Sequence, residues 1–550
     1  MPPESGTVFE KNSTSYGTYN DMEEPLREGT PRSDRTRFRK HGLGKANALD
    51  SQFVLVISLR SILVALFSLL SAGAISYYLF QYPTFYKDAK DTEDAGEGLD
   101  PFAHDVGRLP FMGYNTWNAY HCDINETLIH ETAELMIKLG LKDVGYNYLN
   151  LDDCYSERNR SASGDIIANA TSFPSGMKNL TDFIHGLGLK AGIYSDSGWF
   201  TCALYPGSYQ NEDRDARLFN VEWGFDLLKY DNCAVPYDEI IKEGVVGKFT
   251  RMSNAIYNLS LSTGRPPMLY SLCQWGREEP WVWARDLGQM EELDGEAGLR
   301  GVAAQTWRTT GDIDDKWQSV VGILNQNSFI AWASDFYGHN DMDILEVGNG
   351  GLTYEESKTH FTAWAFMKSP LLIGTHLASA SKKTLSILKN TEIIAINQDP
   401  VVGKSVTPFR WGVNHDWTYN NSHPAQYWSG RTENGTVFML INTLNKPADM
   451  SFNLTESPWI RAGRQYSVRD LWTHTSNGTA VRSFTAKAVP AHGVVALLLQ
   501  DAGDEPEGTQ PPCQREEWCT DRNGTRLDDI GFEPWNDGFQ RKSEQQLRGT

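Results

Sequence analysis

The sequence predicts an α/β protein in which an N-terminal transmembrane helix is followed by a (β/α)8 barrel and then by a C-terminal antiparallel β-sandwich. From 106 to 402, short apolar runs alternate with amphipathic stretches, which is typical of a parallel barrel. From 403 to 500, short alternating strands separated by Asn, Gly and Pro predict the sandwich. Residues 53–80 form one apolar stretch that only Arg60 interrupts. The chain is therefore expected to hold one membrane segment and two folded domains.

The segment before the barrel predicts a single-pass membrane anchor. Residues 61–80 are twenty uncharged positions, enough to cross a hydrocarbon core of roughly 30 Å at about 1.5 Å per residue. Because a polar tail, predicted to be disordered, occupies 1–52, an uncleaved signal anchor is expected rather than a cleaved signal peptide. Basic residues precede the span and an acidic stalk, 81–105, follows it. The positive-inside rule then predicts a type II protein of the secretory pathway or cell surface, with the catalytic domain lumenal or extracellular. A buried core helix is the alternative.

Charge and sequons bear on the partners of the chain. The net charge is −20, which excludes nucleic acid, since binding a polyanion requires a basic surface. N-glycans are expected because Asn-x-Ser/Thr sequons recur after the span. The sequons begin at Asn125, Asn159, Asn169, Asn179, Asn258, Asn420, Asn434, Asn453, Asn477 and Asn523. The sequence leaves the oligomeric state open and predicts a disordered polar tail over 501–550.

All seven cysteines follow the span, which suits disulfides formed in an oxidising compartment. The expected pairs are Cys122–Cys154, Cys202–Cys233 and Cys513–Cys519. Because seven is an odd number, at least one thiol stays unpaired or bonds elsewhere, and this scheme leaves Cys273.

Acidic side chains stand at the ends of several predicted barrel strands. The C-terminal strand ends of such a barrel carry its reactive groups. An acidic side chain at the end of an apolar run costs free energy of desolvation, so its presence there indicates a function. These acids are Asp152, Asp153, Asp196, Asp231, Asp312, Asp341 and Asp343. For any one of them, a helix cap or a solvated turn is the alternative. The segment 312–315 could suggest a calcium loop, but it lacks the glycine and the late glutamate of an EF-hand, so no metal ligand is predicted.

Strand alternation places Lys229 beside Asp231. Side chains two positions apart share a face, so both are expected to point into the barrel. A neighbouring ammonium lowers the pKa of a carboxyl group and keeps it ionised, as a nucleophile requires. On the sixth predicted strand, Arg308, Thr310 and Asp312 share a side if the strand stays extended that far. Two opposed carboxylates, Asp231 and Asp312, predict glycoside hydrolysis, in which one attacks and the other transfers a proton.

Around these residues the chain resembles the α-galactosidases of glycoside hydrolase family 27. The resemblance runs from 108 to 500 and is carried by LPFMGYNTWNAYHCDIN, YNYLNLDDCY, LKAGIYSDSG, LLKYDNC, WRTTGDI and LEVGNGGLT. It implies a retaining enzyme for terminal α-galactosides that needs no cofactor, with Asp231 as nucleophile and Asp312 as acid/base. It also implies a Cys202–Cys233 disulfide beside the site. The sugar-binding positions that it implies are Trp117, Asp152, Asp153, Tyr194, Lys229, Gln274, Trp275, Arg308 and Asp343.

Three departures from the family pattern bear on specificity. Gln274 stands where many relatives have Glu, and its bulk argues against an acetamido group at C2 of the sugar. The usual Asp-Pro-Asp-Met appears as Asp-Met-Asp-Ile over 341–344, so only Asp343 is carried over as a sugar ligand. An insertion-like stretch, 286–304, precedes the sixth strand. The alternatives left open are an α-N-acetylgalactosaminidase, a β-L-arabinopyranosidase and a cell-surface galactose-binding receptor that has lost catalysis.

Overall fold

The computed structural model describes residues 106–287, 304–412 and 423–507, together with 509, 520, 523, 525 and 526. Several predicted features lie outside the described residues: the N-terminal tail, the span and the stalk, almost all of the stretch 286–304, and the Cys513–Cys519 pair. Among the residues that are described, no helix is both long enough and apolar enough to cross a bilayer. One compact unit, Gly98–Thr550, contains all of the described residues.

An eight-stranded parallel sheet forms the first domain. Its strands are β1 (Met112–Asn115), β2 (Tyr148–Asn150), β3 (Lys190–Asp196), β4 (Leu227–Asp231), β5 (Leu269–Leu272), β6 (Thr306–Arg308), β7 (His339–Asp341) and β8 (Leu371–Ile373). From β1 to β7 each strand pairs with the next, and β1 also pairs with β8. Leu345, just after β7, pairs with Ile373, and its N–H donates to the carbonyl of Leu372 at 2.7 Å. This bridge joins the two edges of the sheet, so the strands close into the predicted barrel.

Helices alternate with the barrel strands, as the apolar periodicity predicts. The α-helices are α1 (Trp117–Tyr120), α2 (Glu126–Lys138), α3 (Met177–Gly186), α4 (Glu212–Arg217), α5 (Tyr237–Thr263), α6 (Pro280–Trp283), α7 (Trp317–Ser328), α8 (Tyr354–Phe366), α9 (Lys382–Leu388) and α10 (Thr391–Asn397). Short 3₁₀ turns lie at Lys142–Val144, Ala284–Asp286, Ala331–Ala333, Leu377–Ser379 and Leu454–Glu456, and a π-helical turn lies at Leu218–Trp223.

Inward-pointing side chains fill the barrel in layers. The apolar layer consists of Phe111, Tyr148, Leu227, Leu269, Ile344 and Leu372. Toward the C-terminal strand ends, the interior becomes polar and is lined by Asn115, Asn150, Lys229, Ser271, Arg308 and Asp341. Because residues two apart share a face of a strand, Leu227, Lys229 and Asp231 point inward together. The predicted inward orientation of Lys229 and Asp231 is confirmed.

The second domain consists of two antiparallel sheets. Its strands are β9 (Thr407–Arg410), β10 (Tyr427–Thr432), β11 (Gly435–Ile441), β12 (Ala448–Asn453), β13 (Arg464–Asp470), β14 (Thr475–Val481), β15 (Ser483–Val489) and β16 (Val494–Asp504). Six strands form one sheet in the order β14-β13-β16-β11-β10-β9, and β12 pairs with β15 in the other. Apolar side chains from both sheets, among them Phe438, Phe452 and Leu497, form one cluster. β16 continues to Asp504, past the predicted end of the domain at 500.

Helix α8 lies between the two domains and is buried along almost its whole length. Its Thr359 hydroxyl donates to the carbonyl of His492 at 2.6 Å, and its Thr362 hydroxyl accepts from the Trp472 indole at 3.0 Å. Both partners belong to the second domain, so α8 is covered by the barrel on one side and by the sandwich on the other. A helix in this position carries few charged residues after its first turn, which agrees with its sequence.

Candidate active site

A cavity of about 540 Å³ opens at the C-terminal ends of the barrel strands. Ten of the eleven residues that the sequence assigns to catalysis or sugar binding line it: Trp117, Asp152, Asp153, Tyr194, Lys229, Asp231, Trp275, Arg308, Asp312 and Asp343. The eleventh, Gln274, does not. The structure therefore brings nearly all of the predicted site together at the end of the barrel where reactive groups are expected.

Asp231 ends β4 and is buried, with 5% of its surface exposed. Its Oδ1 accepts a hydrogen bond from the backbone N–H of Asn232 at 2.9 Å, and its Oδ2 accepts one from the Tyr194 hydroxyl at 3.1 Å. Burial raises the pKa of Asp231 to about 6, although the Lys229 ammonium acts in the opposite direction. Lys229 does lower the pKa of Asp231, as the sequence predicted, but desolvation of the carboxylate outweighs this effect, so the pKa is raised overall.

Lys229 pairs most closely with Asp152. Its Nζ lies 2.7 Å from Asp152 Oδ2, which also accepts a hydrogen bond from the Asn115 amide at 2.8 Å. Asp152 is therefore held as a paired carboxylate by one cation and one amide. Because Lys229 lies on the same inward face as Asp231, its ammonium group stabilises the negative charge of both Asp152 and Asp231.

A disulfide fixes the loop that follows β3 to the end of β4. Cys202 on this loop is bonded to Cys233, and both line the cavity. The next residue, Ala203, donates its N–H to Asp153 Oδ2 at 2.9 Å, so the loop also holds a predicted sugar ligand. At Gly198, a Cβ atom would lie 2.1 Å from a carbonyl of the loop after β4, so only glycine permits this approach. Burial raises the pKa of Asp153.

Both disulfides predicted within the described residues are present. The second joins Cys122 to Cys154, with the two Cα atoms 5.2 Å apart. Cys154 directly follows Asp153 and has φ +77°, an uncommon backbone conformation for a residue other than glycine. Cys273 is buried and free. The predicted pairs Cys122–Cys154 and Cys202–Cys233 are confirmed.

Asp312 lies on a loop and not on a strand. β6 ends at Arg308, and 77% of the Asp312 side chain is exposed. The buried Arg308 guanidinium positions it, since one Nη2 atom lies 3.0 Å from Asp312 Oδ1 and 2.9 Å from Asp343 Oδ2. The strand does not stay extended as far as Asp312, so the predicted common side of Arg308, Thr310 and Asp312 is not formed. An ion pair, and not strand alternation, places Asp312 at the cavity.

Gln274 lies behind the cavity wall. Only 1% of its surface is exposed, and its Oε1 accepts a hydrogen bond from the Asn232 amide at 2.7 Å. Its neighbours Cys273 and Trp275 line the cavity instead. Trp275 has φ +56°. A Cβ atom on Gly276 would lie 2.0 Å from the backbone carbonyl oxygen of Thr309, just after β6, so this turn depends on glycine. The Gln274 side chain therefore does not line the cavity in this structure, and the specificity drawn from its bulk stays a prediction.

A polar network behind Asp231 was not predicted. Lys248 of α5 donates to the amide oxygen of Asn232 and, at 3.1 Å, to the Ser197 hydroxyl. Asp196 accepts from the backbone N–H of Cys233 at 2.8 Å. Burial, followed by the charge of Asp231, raises the pKa of Asp196. Nothing in the amphipathic pattern of α5 distinguishes Lys248 from a lysine on a solvated face, so the sequence alone could not have identified it.

The segments after β1 and β7 carry a second unpredicted group that lines the cavity, Asn118, Glu346 and Asn349, which we call the polar wall. Glu346 is buried, with 4% of its surface exposed, and its two carboxylate oxygens accept from the side-chain amides of Asn118 and Asn349. Burial raises the pKa of Glu346 to about 7. Glu346 belongs to the segment LEVGNGGLT, but a single acid after an apolar run does not by itself indicate a cavity.

Asp196 and Asp231 also lie close to Cys202 and Cys233. Such a group of four could suggest a metal site. Here the two sulfur atoms are bonded to each other, so the thiolate ligands that such a site requires are not available.

Two family models match the chain. The model described as Alpha galactosidase A matches residues 109–399, which span the barrel from β1 to α10. The model described as Alpha galactosidase C-terminal beta sandwich domain matches residues 422–499. The two matches therefore follow the same division into domains that the strands show.

Individual relatives agree with the family models. The chain is 38% identical over 433 residues to a protein of Penicillium simplicissimum named probable alpha-galactosidase B, a match that covers 72% of this chain and 94% of that protein. The crystal structure of alpha-galactosidase I from Mortierella vinacea is similar with a TM-score of 0.63 and 34% identity, over 75% of this chain and 100% of that one. An alfa-galactosidase from Saccharomyces cerevisiae, solved with raffinose, is similar with a TM-score of 0.62 and 28% identity, over 72% and 98%.

Proposed function

The chain belongs to the α-galactosidase family, glycoside hydrolase family 27, and hydrolyses α-galactosides; we propose that it does so by a double displacement in which Asp231 attacks and Asp312 transfers the proton. The substrates would be oligosaccharides or glycoconjugates that end in a non-reducing α-D-galactosyl residue. The observation that carries the proposal is that a buried and an exposed carboxyl group line one cavity. Two carboxyl groups in different surroundings suit two different roles.

In the first step, a carboxylate oxygen of Asp231 attacks C1 of the galactosyl residue. The bond from C1 to the leaving oxygen breaks, its electron pair passes to that oxygen, and the oxygen takes the proton of Asp312. The aglycone leaves as an alcohol, and the sugar remains as a β-linked ester of Asp231. The Arg308 guanidinium, 3.0 Å from Asp312, stabilises the negative charge that Asp312 then carries.

In the second step, a water molecule replaces the aglycone. The Asp312 carboxylate takes a proton from the water, the water oxygen bonds to C1, and the ester electrons return to Asp231. Two inversions give α-galactose, so the configuration is retained. The Tyr194 hydroxyl, 3.1 Å from Asp231, stabilises the released carboxylate by a hydrogen bond.

The sugar is expected to be held by the paired carboxylates on the second strand end. Asp152 and Asp153 would accept hydrogen bonds from the 4- and 6-hydroxyls, and Lys229 would donate to one of them. The axial 4-hydroxyl distinguishes galactose from glucose, so these acceptors would select galactose over glucose. Trp117, which lines the cavity, would cover the apolar face of the ring.

We further propose that the enzyme is anchored by residues 53–80 as a type II membrane protein and that its lumenal or extracellular part carries N-glycans. The charge asymmetry around the span supports this topology. Two disulfides suit an oxidising compartment. Sequon asparagines that the structure describes are exposed or partly exposed, including Asn159, Asn179 and Asn434. Protease treatment of sealed microsomes should remove only about the first fifty residues; digestion of the barrel would contradict the topology.

A panel of nitrophenyl α-glycosides with the purified chain tests the activity and its specificity. We expect kcat/KM for the α-galactoside to exceed that for the α-N-acetylgalactosaminide by far, because Trp275 lines the cavity and an acetamide needs space. An equal or reversed ratio would favour the α-N-acetylgalactosaminidase alternative.

Two variants test the roles of the carboxyl groups. Asp231→Ala should lose turnover on every substrate, and azide should rescue it as a β-galactosyl azide. Asp312→Ala should lose about 10²–10⁴-fold on poor leaving groups but retain more activity on a dinitrophenyl galactoside, which departs without a proton, and azide should give the α-galactosyl azide. Equal losses of Asp312→Ala on both kinds of leaving group would show that Asp312 is not the acid.

A further inference from the structure

We infer that Lys248 of α5 is a positioning residue, which acts through Asn232 to hold the Asp231 carboxylate in the orientation from which it attacks. The inference deepens the proposed function and rests on it, since it takes Asp231 to be the nucleophile. Lys248 does not line the cavity, so its effect on the reaction passes through the residues that it contacts.

Lys248 is a buried cation, with 1% of its surface exposed. Burial lowers the pKa of its ammonium group to about 8, although the charge of Asp196 acts in the opposite direction. Taking an ammonium group out of water costs free energy, and a methionine would fill a similar volume without this cost. Because a lysine stands here at a cost to stability, its charge or its hydrogen bonds indicate a role beyond packing.

The ammonium group of Lys248 fixes the orientation of the Asn232 side chain. It donates to the side-chain oxygen of Asn232 and, at 3.1 Å, to the Ser197 hydroxyl, which itself donates to the same oxygen at 3.1 Å. The NH₂ group of Asn232 donates to Gln274 Oε1 at 2.7 Å. Both ends of the amide are therefore bonded, and reversing it would place an NH₂ group against the ammonium.

Asn232 passes this order on to Asp231. Its backbone N–H donates to Asp231 Oδ1 at 2.9 Å, and the Tyr194 hydroxyl donates to Oδ2 at 3.1 Å. These two donors set the plane of the carboxylate, so a shift of Asn232 would turn the oxygen that attacks. Misplacing a reacting group by ~1 Å can cost about 10²-fold in rate. The position of Asn232 is therefore expected to affect kcat more than sugar binding.

The alternative role for Lys248 is that of a counter-ion for Asp196. Asp196 and Asp231 end neighbouring strands in register, and a carboxylate oxygen of one lies within 4.8 Å of one of the other. The charge of Lys248 acts to lower the pKa of Asp196. However, Asp196 accepts its hydrogen bonds from the backbone N–H groups of Gly198 and Cys233, at 2.7 and 2.8 Å. The ammonium group donates to the side chains of the two loops instead, which favours the positioning role.

Lys248→Met tests the inference in the purified full-length chain. We expect kcat to fall about 10- to 100-fold while KM stays within about twofold, because the groups that hold the sugar remain in place. The loss should be the same for 4-nitrophenyl and dinitrophenyl α-galactosides, since the proton donor Asp312 is not affected. This pattern differs from the one expected for Asp312→Ala, which depends on the leaving group.

A double-mutant cycle tests the route through Asn232. Asn232→Ala keeps the backbone N–H but removes the side chain that Lys248 holds, so it should lower kcat by a similar factor. If Lys248 acts through Asn232, the combined variant should lose little more than either single variant. Losses that multiply would show that Lys248 acts separately, as a counter-ion for Asp196 would, and would overturn the inference.

Lys368→Met is the matched control. Lys368 is also a buried lysine, with 2% of its surface exposed, and burial lowers its pKa to about 8 as well. It donates to the backbone carbonyls of Ile396 and Asn397 and lies just before β8, at the end of the barrel opposite the cavity. Its replacement should lower the free energy of unfolding and leave kcat unchanged.

A kcat within about twofold of the wild type in Lys248→Met, or an equal loss of kcat in Lys368→Met, would show that Lys248 serves stability alone and would overturn the inference. If Lys248→Met does not fold, Asn232→Ala decides the question, because an unchanged kcat in that variant would also overturn it. If the wild type itself failed to cleave the nitrophenyl galactoside, the proposed function would fail instead.

Discussion

The carboxyl group of Asp231 is 5% exposed beside Lys229, whereas 77% of the Asp312 side chain is exposed beside Arg308. Burial disfavours the ionised form of Asp231, and the Lys229 ammonium favours it. The lysine therefore limits how far burial raises the pKa of Asp231, the proposed nucleophile. At Asp312 the arginine positions the side chain while the solvent keeps it accessible to protons.

Replacing Lys229 by Met is expected to move the acid limb of the pH profile to higher pH. As the proposed nucleophile, Asp231 must be ionised to attack, so kcat/KM should fall as the pH drops through about 6, the value to which burial raises the pKa of this group. Without the ammonium, only the Asn232 N–H and the Arg308 charge still oppose burial, so the pKa of Asp231 rises further. The profile is best measured with a dinitrophenyl α-galactoside, whose departure depends little on Asp312. Lys229→Arg keeps the charge and should leave the limb near its wild-type position; an unmoved limb in Lys229→Met would contradict this account.

At this scale the sequence predicted which side chains meet but not what holds them. Acids at strand ends of a barrel converge because the strands are parallel, so Asp152, Asp231 and Asp343 could be assigned to one site. The position of Asp312 depends on a long-range ion pair with Arg308. Gln274 could not be placed, because a positive φ at Trp275 turns the chain and so decides which side chain faces the cavity.

Among the elements, α8 depends on its N-terminal cap. The Thr353 hydroxyl accepts the N–H of Glu356 at 3.3 Å, and the Glu356 carboxylate accepts the N–H of Thr353 at 2.8 Å, which together form a capping box. Thr353→Ala should lower the free energy of unfolding by about 1 kcal/mol and leave kcat/KM on the nitrophenyl galactoside unchanged. Urea denaturation followed by tryptophan fluorescence measures the first quantity. Thr353→Ser keeps the hydroxyl and should stay close to the wild type, so equal destabilisation by Ser and Ala would argue against the cap.

The strands show where element prediction fails. Apolar runs placed the barrel strands correctly. However, β6 ends at Arg308 and β7 at Asp341, so Asp312 and Asp343, which were assigned to these strand ends, lie on the loops that follow. Beyond these points the backbone leaves the ladder, and Asp343 has φ +80°. Residues in such conformations are determined by contacts from other loops, which periodicity does not report.

For the whole molecule, the interface between the barrel and the sandwich predicts cooperative unfolding. The rings of Trp317 and His492 stack with centroids 4.6 Å apart, and Arg469 pairs with Glu392 at 2.6 Å across the same interface. Neither domain can separate without exposing α8, which is buried between them. Scanning calorimetry of the full-length protein should therefore show a single transition for the two domains, with equal calorimetric and van't Hoff enthalpies. Two resolved transitions would show that the domains are independent.

The order of the domains was readable from the sequence, because alternating helices and strands differ in period from a run of short strands. The packing of the two domains against each other could not be predicted from the sequence. The contact between Trp317 and His492 joins residues 175 positions apart, and neither residue differs locally from an ordinary surface aromatic. The membrane span stays a prediction, as residues 53–80 lie outside the described part of the chain.

Capture of the covalent intermediate tests most directly the claim that Asp231 is the nucleophile of a retaining α-galactosidase. A 5-fluoro-α-galactosyl fluoride should react with the full-length enzyme, because the fluoride leaves readily and the ring fluorine slows the second step. After proteolysis, mass spectrometry should find one galactosyl label, on the carboxyl group of Asp231 in the peptide that contains Lys229-Tyr230-Asp231. A label on Asp312 or on any other residue, or release of β-galactose as the first product of an ordinary substrate, would contradict the account.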